Sequence, residues 1–242
     1  SRTADDVTDT GLRLTKLLEV LNTAPEERSA LLADDLTAFP YVNGGLFAEN
    51  TPAPDFDTNL RLALLLASQP DWHKVSPAIF GAMFQGVMDG DDRHDLGAHY
   101  TSEENILRVI KPLFLDNLYA EFDKARASKN SAQLLDVFHD KLASLTFLDP
   151  ACGSGNFLIV AYRELRRLEL KVIEAKAKHS TIVVLESDLR VRVEQFYGIE
   201  IDEFPVQIAR TAMWLTDHQM NLEAGRKIGH EYSRLPLTEG AH

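Results

Sequence analysis

The spacing of apolar residues predicts helices throughout the first third of the chain. In residues 11–36, leucines at helical spacing are interrupted at Pro25, which predicts two helices with a break between them. Apolar helices are also predicted over 58–68 and 76–88, after a loop rich in proline and glycine. Residues 1–92 are therefore predicted to form a small all-helical domain.

The pattern changes after residue 92, where short apolar stretches alternate with longer helical ones. Thr101 is followed three residues later by Glu104, which is typical of a capping box at the start of a helix. The predicted elements are a helix from Ser102, a strand over 145–150, a helix over 155–178, a strand-rich tract over 180–202 that ends at Glu200, and a helix over 203–221. Strands that alternate with helices predict a parallel sheet and an α/β fold for residues 93–242.

A turn with two glycines follows the first predicted strand, in the stretch FLDPACGSGNFL of residues 147–158. Gly153 and Gly155 allow a ligand to approach the backbone closely, and the helix that follows offers free N–H groups at its N-terminus. Glu200, at the predicted end of the next strand, can accept hydrogen bonds from ribose hydroxyls, with Asp202 as the alternative acid. This combination suits either a dinucleotide or S-adenosylmethionine.

Two details of the turn narrow the choice of cofactor. The dinucleotide fingerprint has a third small residue at the position where this chain has Leu158, and this difference disfavours NAD and FAD. No Lys-Ser or Lys-Thr pair follows the glycines, which excludes a P-loop. Of the two candidates, S-adenosylmethionine fits these details better.

The glycine turn resembles the cofactor-binding motif of adenine-N6 DNA methyltransferases. Residues 197–202 are similar to the second motif of that family, whose acid binds the ribose, and residues 97–102 resemble the motif that closes over the methionine end of the cofactor. By resemblance, the predicted cofactor-binding residues are Tyr100, Thr101, Ser102, Asp149, Pro150, Ala151, Cys152, Gly153, Ser154, Gly155, Asn156, Phe157, Glu200 and Ile201. The resemblance implies an incomplete Rossmann-like methyltransferase fold for residues 93–242 and a helical spacer domain for residues 1–92.

The likeness extends to restriction–modification polypeptides that join DNA cleavage, methylation and recognition in one chain. The implied reaction transfers a methyl group from S-adenosylmethionine to the amino nitrogen of an adenine flipped out of double-stranded DNA. The family's catalytic motif, Asn or Asp followed by Pro-Pro and then Tyr or Phe, does not occur in these 242 residues. We expect it beyond His242, so no catalytic residue is predicted in this chain, which alone is expected to be inactive.

Two other functions fit the same residues. The chain could be part of the modification subunit of a multi-subunit restriction system, and a nuclease domain upstream of Ser1 would decide against that alternative. It could also be a non-catalytic interaction module with a remnant of the α/β domain, which predicts that no cofactor binds.

The charge of the chain argues against direct DNA binding by these residues. The net charge is −12, and both 1–92 and 93–242 carry an excess of acidic side chains. A surface that grips DNA usually shows as a basic patch. We therefore expect double-stranded DNA to bind through parts outside this chain.

Composition also limits location and metal chemistry. A single cysteine excludes a disulfide framework and a cysteine-rich zinc site. The chain has neither a long apolar run nor a secretory signal. We therefore predict a cytoplasmic protein without membrane contact. The acids of 89–92 near His94 are interpreted as a solvated linker and not as a metal site, and Cys152 is expected to pack. An unpaired sheet edge predicts self-association of the fragment, which light scattering can test.

Overall fold

The computed structural model describes residues 7–41, 53–71, 75–76, 79, 101–177 and 189–228. These residues divide into two compact units, the first up to Val75 and the second from Ser76 onward. None of the helices within these ranges is long and apolar enough to cross a lipid bilayer.

The first unit is helical in its described parts. Its helices are α1 (Thr10–Leu21), α2 (Asp34–Thr37) and α3 (Thr58–Ala67). Helix α3 begins after Asp57, whose side chain accepts a hydrogen bond from Leu60 N at 2.7 Å and thereby satisfies one of the free N–H groups of the first turn. The predicted helix over 58–68 is confirmed.

The second helix predicted within 11–36 is wrong. The chain instead forms a 3₁₀ turn over Pro25–Glu27 and the short α2. Arg28 has an extended backbone, and its guanidinium donates to the carbonyls of Val20 at 3.0 Å, Thr23 at 3.0 Å and Phe39 at 2.8 Å. These bonds fold the segment around one side chain and take the place of helical bonds. The helix predicted over 76–88 falls almost entirely outside the described residues.

The second unit contains five α-helices and two strands in its described parts. They are α4 (Glu103–Ile110), α5 (Asp116–Ala127), α6 (Ser131–Ser144), β1 (Phe147–Asp149), α7 (Asn156–Ala177), β2 (Phe196–Gly198) and α8 (Glu203–Ile228). The helices predicted over 155–178 and 203–221 are confirmed as α7 and α8, and α8 is longer than predicted. Helix α6 is an element that the sequence pattern did not lead us to assign.

The start of α4 differs by one residue from the prediction. Ser102 is the N-cap, and its hydroxyl accepts a hydrogen bond from Asn105 N at 3.5 Å, so the capping box predicted from Thr101 to Glu104 is wrong. Glu104 pairs with Arg108 one turn later, at 2.6 Å. Serine and threonine are both good N-caps. Because Thr101 and Ser102 are adjacent, the sequence alone does not decide which of them is the N-cap of α4.

A π-helical turn, Lys111–Leu115, joins α4 to α5. Pro112 lies in this turn and has no N–H to donate to the helical ladder. The wider turn accommodates the missing bond, and the chain continues as a helix beyond the proline.

The two strands form a parallel pair, as the order of elements predicts. Phe147 lies opposite Phe196, and Asp149 lies opposite Gly198. The rings of Phe147 and Phe196 stack at 4.8 Å, and Tyr162 of α7 packs edge-on against Phe196 at 5.3 Å. The described residues are thus mostly helical around a small parallel sheet, an arrangement that is compatible with the predicted α/β class.

Residues 180–202 are predicted to be rich in strand. Within the described part of this tract, only residues 196–198 form a strand. β2 ends at Gly198, two residues before Glu200, and is preceded by an irregular segment and a 3₁₀ turn, Val193–Gln195. Residues 180–188 of the predicted tract lie outside the described residues. β2 is short because side chains of α7 and the 3₁₀ turn itself hold the backbone that precedes it.

Helix α7 lies at the centre of the core. It is buried along most of its 22 residues, with Val160, Leu165 and Leu168 fully inaccessible to solvent. A helix that is buried on nearly all sides must be covered by several neighbours, here α4, α6, α8 and both strands. Because α7 begins directly after the glycine turn, this packing holds one end of the turn in place.

Candidate functional site

The turn between β1 and α7 uses backbone conformations that favour glycine. Gly153 has φ +52° and Gly155 has φ +80°, both in the left-handed region that side chains with a Cβ rarely adopt. The turn is closed by Gly155 N, which donates to Cys152 O at 2.8 Å, and by the Asp149 side chain, which accepts from Ala151 N at 3.1 Å. The two glycines that the sequence singles out are thus required by the path of the chain.

The two glycines have different surroundings. A Cβ on Gly155 would lie 2.9 Å from Ala209 Cβ and 3.3 Å from Ala209 Cα, so this glycine allows α8 to approach the turn closely. A Cβ on Gly153 would meet no atom within 4 Å in the described part of the chain. Gly155 therefore serves packing, whereas the open side of the turn lies over Gly153.

A third glycine, Gly198, is a feature of the site that the sequence did not lead us to single out. A Cβ there would lie 2.6 Å from Cys152 Sγ and 3.3 Å from Leu158 Cδ1. The absence of a side chain lets the glycine turn lie directly against the end of β2. A glycine within a strand is itself a signal of such close approach, so the sequence does carry the information.

The carboxylate of Glu200 is bound to the glycine turn. Its Oε2 accepts a hydrogen bond from Gly153 N at 2.9 Å, and its Oε1 accepts from Ile201 N at 2.8 Å and from Asp202 N at 3.1 Å. Backbone bonds support the same arrangement, since Ile199 N donates to Asp149 O at 2.9 Å and Cys152 N donates to Ile199 O at 3.0 Å. The structure thus brings together the two tracts that the sequence places far apart.

Asp202, the alternative acid, has a different role in the structure. Its Oδ1 accepts a hydrogen bond from Phe204 N at 3.1 Å, at the start of α8. An aspartate directly before a helix is a favourable N-cap, so this carboxylate is already engaged with the backbone. Of the two acids, Glu200 is the one that faces the glycine turn.

The first residue of α7 carries a buried polar atom without a partner in the described part of the chain. Asn156 is 8% exposed, and its side-chain oxygen has no hydrogen-bond donor there. A buried carbonyl oxygen without a donor costs free energy, of the order of 1–3 kcal/mol. This atom lies at the start of α7, directly after the glycine turn.

The other predicted site residues are placed as follows. Asp149, Pro150, Ala151, Cys152, Ser154 and Phe157 form β1, the turn and the start of α7, and Ile201 follows Glu200 with 94% of its surface exposed. Thr101 and Ser102 lie at the start of α4, which is joined to α7 by an ion pair from Arg163 to Glu103. Tyr100 lies outside the described residues.

Within the described ranges, no group of three or more His, Cys, Asp or Glu side chains is arranged to hold a metal ion. The polar groups that the site offers are its backbone amides, the Glu200 carboxylate and the buried amide oxygen of Asn156. These groups bind polar ligands by hydrogen bonds.

Cys152 is predicted to be unreactive at neutral pH. Burial, followed by the nearby charges of Asp149 and Glu200, raises the pKa of its thiol to about 11, because each of these disfavours the thiolate. At pH 8 about one thiol in a thousand is then ionised, against about one in four for an unperturbed cysteine.

Alkylation of Cys152 by iodoacetamide at pH 8 should therefore be about 250-fold slower in the folded chain than in urea. The rate in the folded chain should rise as the pH approaches 11. Equal rates in the folded and unfolded chain would contradict the described environment of this thiol.

A glycine turn between a parallel strand and a helix, bound to a carboxylate at the end of the neighbouring strand, is the arrangement by which α/β domains bind nucleoside cofactors. Residues 123–242 match the family model described as "MmeI, DNA-methyltransferase domain". Residues 123–242 are therefore similar to this DNA-methyltransferase domain family.

Known proteins show a similarity of the same kind. The chain is 40% identical over 194 residues to DNA methyltransferase A of Bacillus subtilis, an alignment that covers 80% of this chain and 22% of that protein. It is 25% identical over 242 residues to a putative type II restriction enzyme and methyltransferase of Methanocaldococcus jannaschii, covering 81% of this chain and 20% of that protein.

A solved structure is also similar. The structure of the type IIL restriction–modification enzyme MmeI in complex with DNA matches with a TM-score of 0.93 and 48% identity, over 100% of this chain and 32% of that chain. The chain thus spans between about a fifth and a third of the proteins that it matches. The predicted relationship to restriction–modification methyltransferases is confirmed.

Proposed function

We propose that this chain forms the S-adenosylmethionine-binding part of a DNA methyltransferase that modifies adenine at N6 in a restriction–modification system. The proposal includes a Rossmann-like fold for residues 93–242, a helical spacer over 1–92, and DNA binding through residues outside this chain. One observation carries it: the Glu200 carboxylate and the glycine turn, which the sequence assigns to separate motifs of one cofactor site, are joined by a hydrogen bond to Gly153 N.

The residues present fit S-adenosylmethionine. The open side of Gly153 leaves room for a ligand against the backbone. A carboxylate has about four acceptor positions, and Glu200 uses three of them, which leaves one for a ribose hydroxyl without breaking an existing bond. The unpaired oxygen of Asn156 can accept a hydrogen bond from an ammonium group such as that of the methionine moiety.

Each residue has a definite part in this proposal. Glu200 orients the ribose, and the exposed side chains of Ile201 and Phe204 beside it offer apolar surface to the adenine ring of the cofactor. Asn156 and the N-terminus of α7 bind the polar end of the methionine moiety. When bound, S-adenosylmethionine supplies a methyl group made electrophilic by its sulfonium.

The start of α4 is proposed to lie at the methionine end of the same site. The ion pair from Arg163 to Glu103 fixes the first residue of α4 to α7. Arg163 lies two turns along α7 from Asn156, so the pair anchors Thr101 and Ser102 beside the helix whose N-terminus forms the site. Their role is to exclude water from the methionine moiety, which favours ligand binding and methyl transfer.

The proposed function is tested by expressing the full-length gene, of which this chain is a part and which is expected to include the catalytic motif, in a bacterial host without DNA adenine methylation. We expect N6-methyladenine at one fixed DNA sequence, and its loss when Glu200 is replaced with alanine. Methylation at cytosine, or no methylation with the protein present and folded, would contradict the proposal.

A further inference from the structure

A cluster of hydrogen-bonded polar side chains is buried between α6, α7, α8 and the residues that lead into β2. His139 of α6 and Glu169 of α7 are fully inaccessible to solvent, and Arg166 of α7 is 2% exposed. Arg166 also donates to Asn221 of α8 at 2.6 Å, which connects the third helix. The candidate cofactor site described above uses none of these side chains.

The Glu169 carboxylate binds backbone as well as side chains. Its Oε1 accepts hydrogen bonds from Arg190 N at 2.6 Å and from Val191 N at 2.8 Å. The same oxygen lies 3.0 Å from His139 Nε2. Oε2 accepts from Arg166 at 3.0 Å.

The segment that Glu169 holds continues directly into β2. The next anchor is Gln195, whose side-chain nitrogen donates to Leu142 O at 2.9 Å and to Leu145 O at 2.7 Å, just before β1 begins. Arg166 adds a bond to Val191 O at 3.3 Å. Residues 190–195 are therefore tied to α7, to the end of α6 and to the segment that leads from it to β1, before β2 begins at Phe196.

Stability alone does not explain a buried cluster of this kind. The desolvation of a buried ion pair offsets much of the attraction between its charges, and apolar residues of similar volume often serve stability as well. The best-attested use of buried polar groups is to fix the register of packed elements. Here the element whose register is fixed is β2. Glu200 follows the end of β2 and faces the glycine turn.

We propose that Glu169 is a positioning residue for the candidate cofactor site. By binding Arg190 N and Val191 N, it sets the register of β2 against β1 and so places the Glu200 carboxylate against Gly153. The role of Glu169 in the position of β2 follows from the described contacts. Its role in the affinity for S-adenosylmethionine rests on the proposed function.

Two substitutions separate the reach of this side chain from its charge. Glu169→Asp keeps the charge but shortens the side chain, so the carboxylate no longer reaches the two backbone N–H groups. Glu169→Gln removes the charge and, because an amide nitrogen cannot accept, the bond from Arg166, but it keeps an acceptor oxygen at full length for Arg190 N and Val191 N. Glu164→Asp is the matched control, because Glu164 is a partly buried acid on the same helix that pairs with Arg163 and Arg167.

Hydrogen exchange of single amides is the first readout. In Glu169→Asp, we expect exchange at Arg190, Val191, Gly153 and Ile199 to increase at least about tenfold relative to the amides of α5 and α6. Glu169→Gln and Glu164→Asp should change these ratios less than about threefold. An increase confined to Arg190 and Val191, or a larger increase in Glu169→Gln than in Glu169→Asp, would overturn the proposal.

Affinity for S-adenosylmethionine is the second readout. We expect a loss of about tenfold in Glu169→Asp and of less than about threefold in Glu169→Gln, because only the former displaces Glu200. Equal affinities in all variants would overturn the positioning role. If the unaltered chain does not bind S-adenosylmethionine, the proposed function fails, and the exchange measurement still decides whether Glu169 positions β2.

Discussion

Replacement of Gly155 with alanine is expected to destabilise the chain by about 2–5 kcal/mol. Two costs combine: the left-handed backbone at φ +80° disfavours a Cβ by about 1–2 kcal/mol, and the contact at 2.9 Å with Ala209 adds an overpacking cost of about 1–3 kcal/mol. The neighbour can move little, because Ala209 Cα, an atom of the α8 backbone, is also only 3.3 Å away. Urea unfolding followed by circular dichroism measures the loss.

Gly153→Ala is the matched control for this prediction. Gly153 has a similar backbone at φ +52°, but a Cβ there would meet no atom within 4 Å in the described part of the chain, so only the conformational cost of about 1–2 kcal/mol applies. Addition of Ala209→Gly to Gly155→Ala should recover part of the loss through a favourable coupling between the two sites. Equal destabilisation by the two glycine substitutions would contradict the packing role of Gly155.

Replacement of Glu200 with glutamine is expected to weaken the binding of S-adenosylmethionine by about 10- to 100-fold. A hydrogen bond to a charged group contributes about 1.5–3 kcal/mol, and the substitution removes the charge that the ribose hydroxyl would bind. The amide nitrogen of glutamine also cannot accept the hydrogen bond from Gly153 N at the Oε2 position. Calorimetric titration measures the change in affinity.

Asp202→Asn provides the control at the same end of the sheet. Asparagine is as good an N-cap as aspartate, so the bond to Phe204 N at the start of α8 is kept. We expect the affinity for S-adenosylmethionine to change by less than about threefold. The opposite pattern, with a large loss in Asp202→Asn and little in Glu200→Gln, would make Asp202 the acid that binds the ribose.

The sequence predicts the elements around the glycine turn well because several local signals agree there. Alternation of strand and helix, two glycines and a following acid all indicate the same parallel arrangement, and β1, α7, β2 and α8 occur in the predicted order. Gly153 and Gly155 are required by their backbone conformation, which is a property of the local chain. Local chemistry is what a single sequence records most directly.

Other features depend on side-chain contacts outside regular helix or strand spacing and could not be predicted in the same way. Arg28 replaces a predicted helix with a loop through bonds to three carbonyls, and nothing in its neighbourhood of the sequence indicates them. Glu169 has the pattern of an ordinary charged helix residue, yet it is fully buried and binds the backbone before β2. Contacts of this kind arise only when the helices are packed.

Calorimetric titration of the 242-residue chain with S-adenosylmethionine, and separately with NAD, tests most directly whether the glycine turn and Glu200 form a methyltransferase cofactor site. We expect S-adenosylmethionine to saturate one site per chain, and NAD at the same concentrations to give only the heat of dilution. Saturable binding of NAD, or no binding of S-adenosylmethionine to the folded chain, would contradict this assignment of the site.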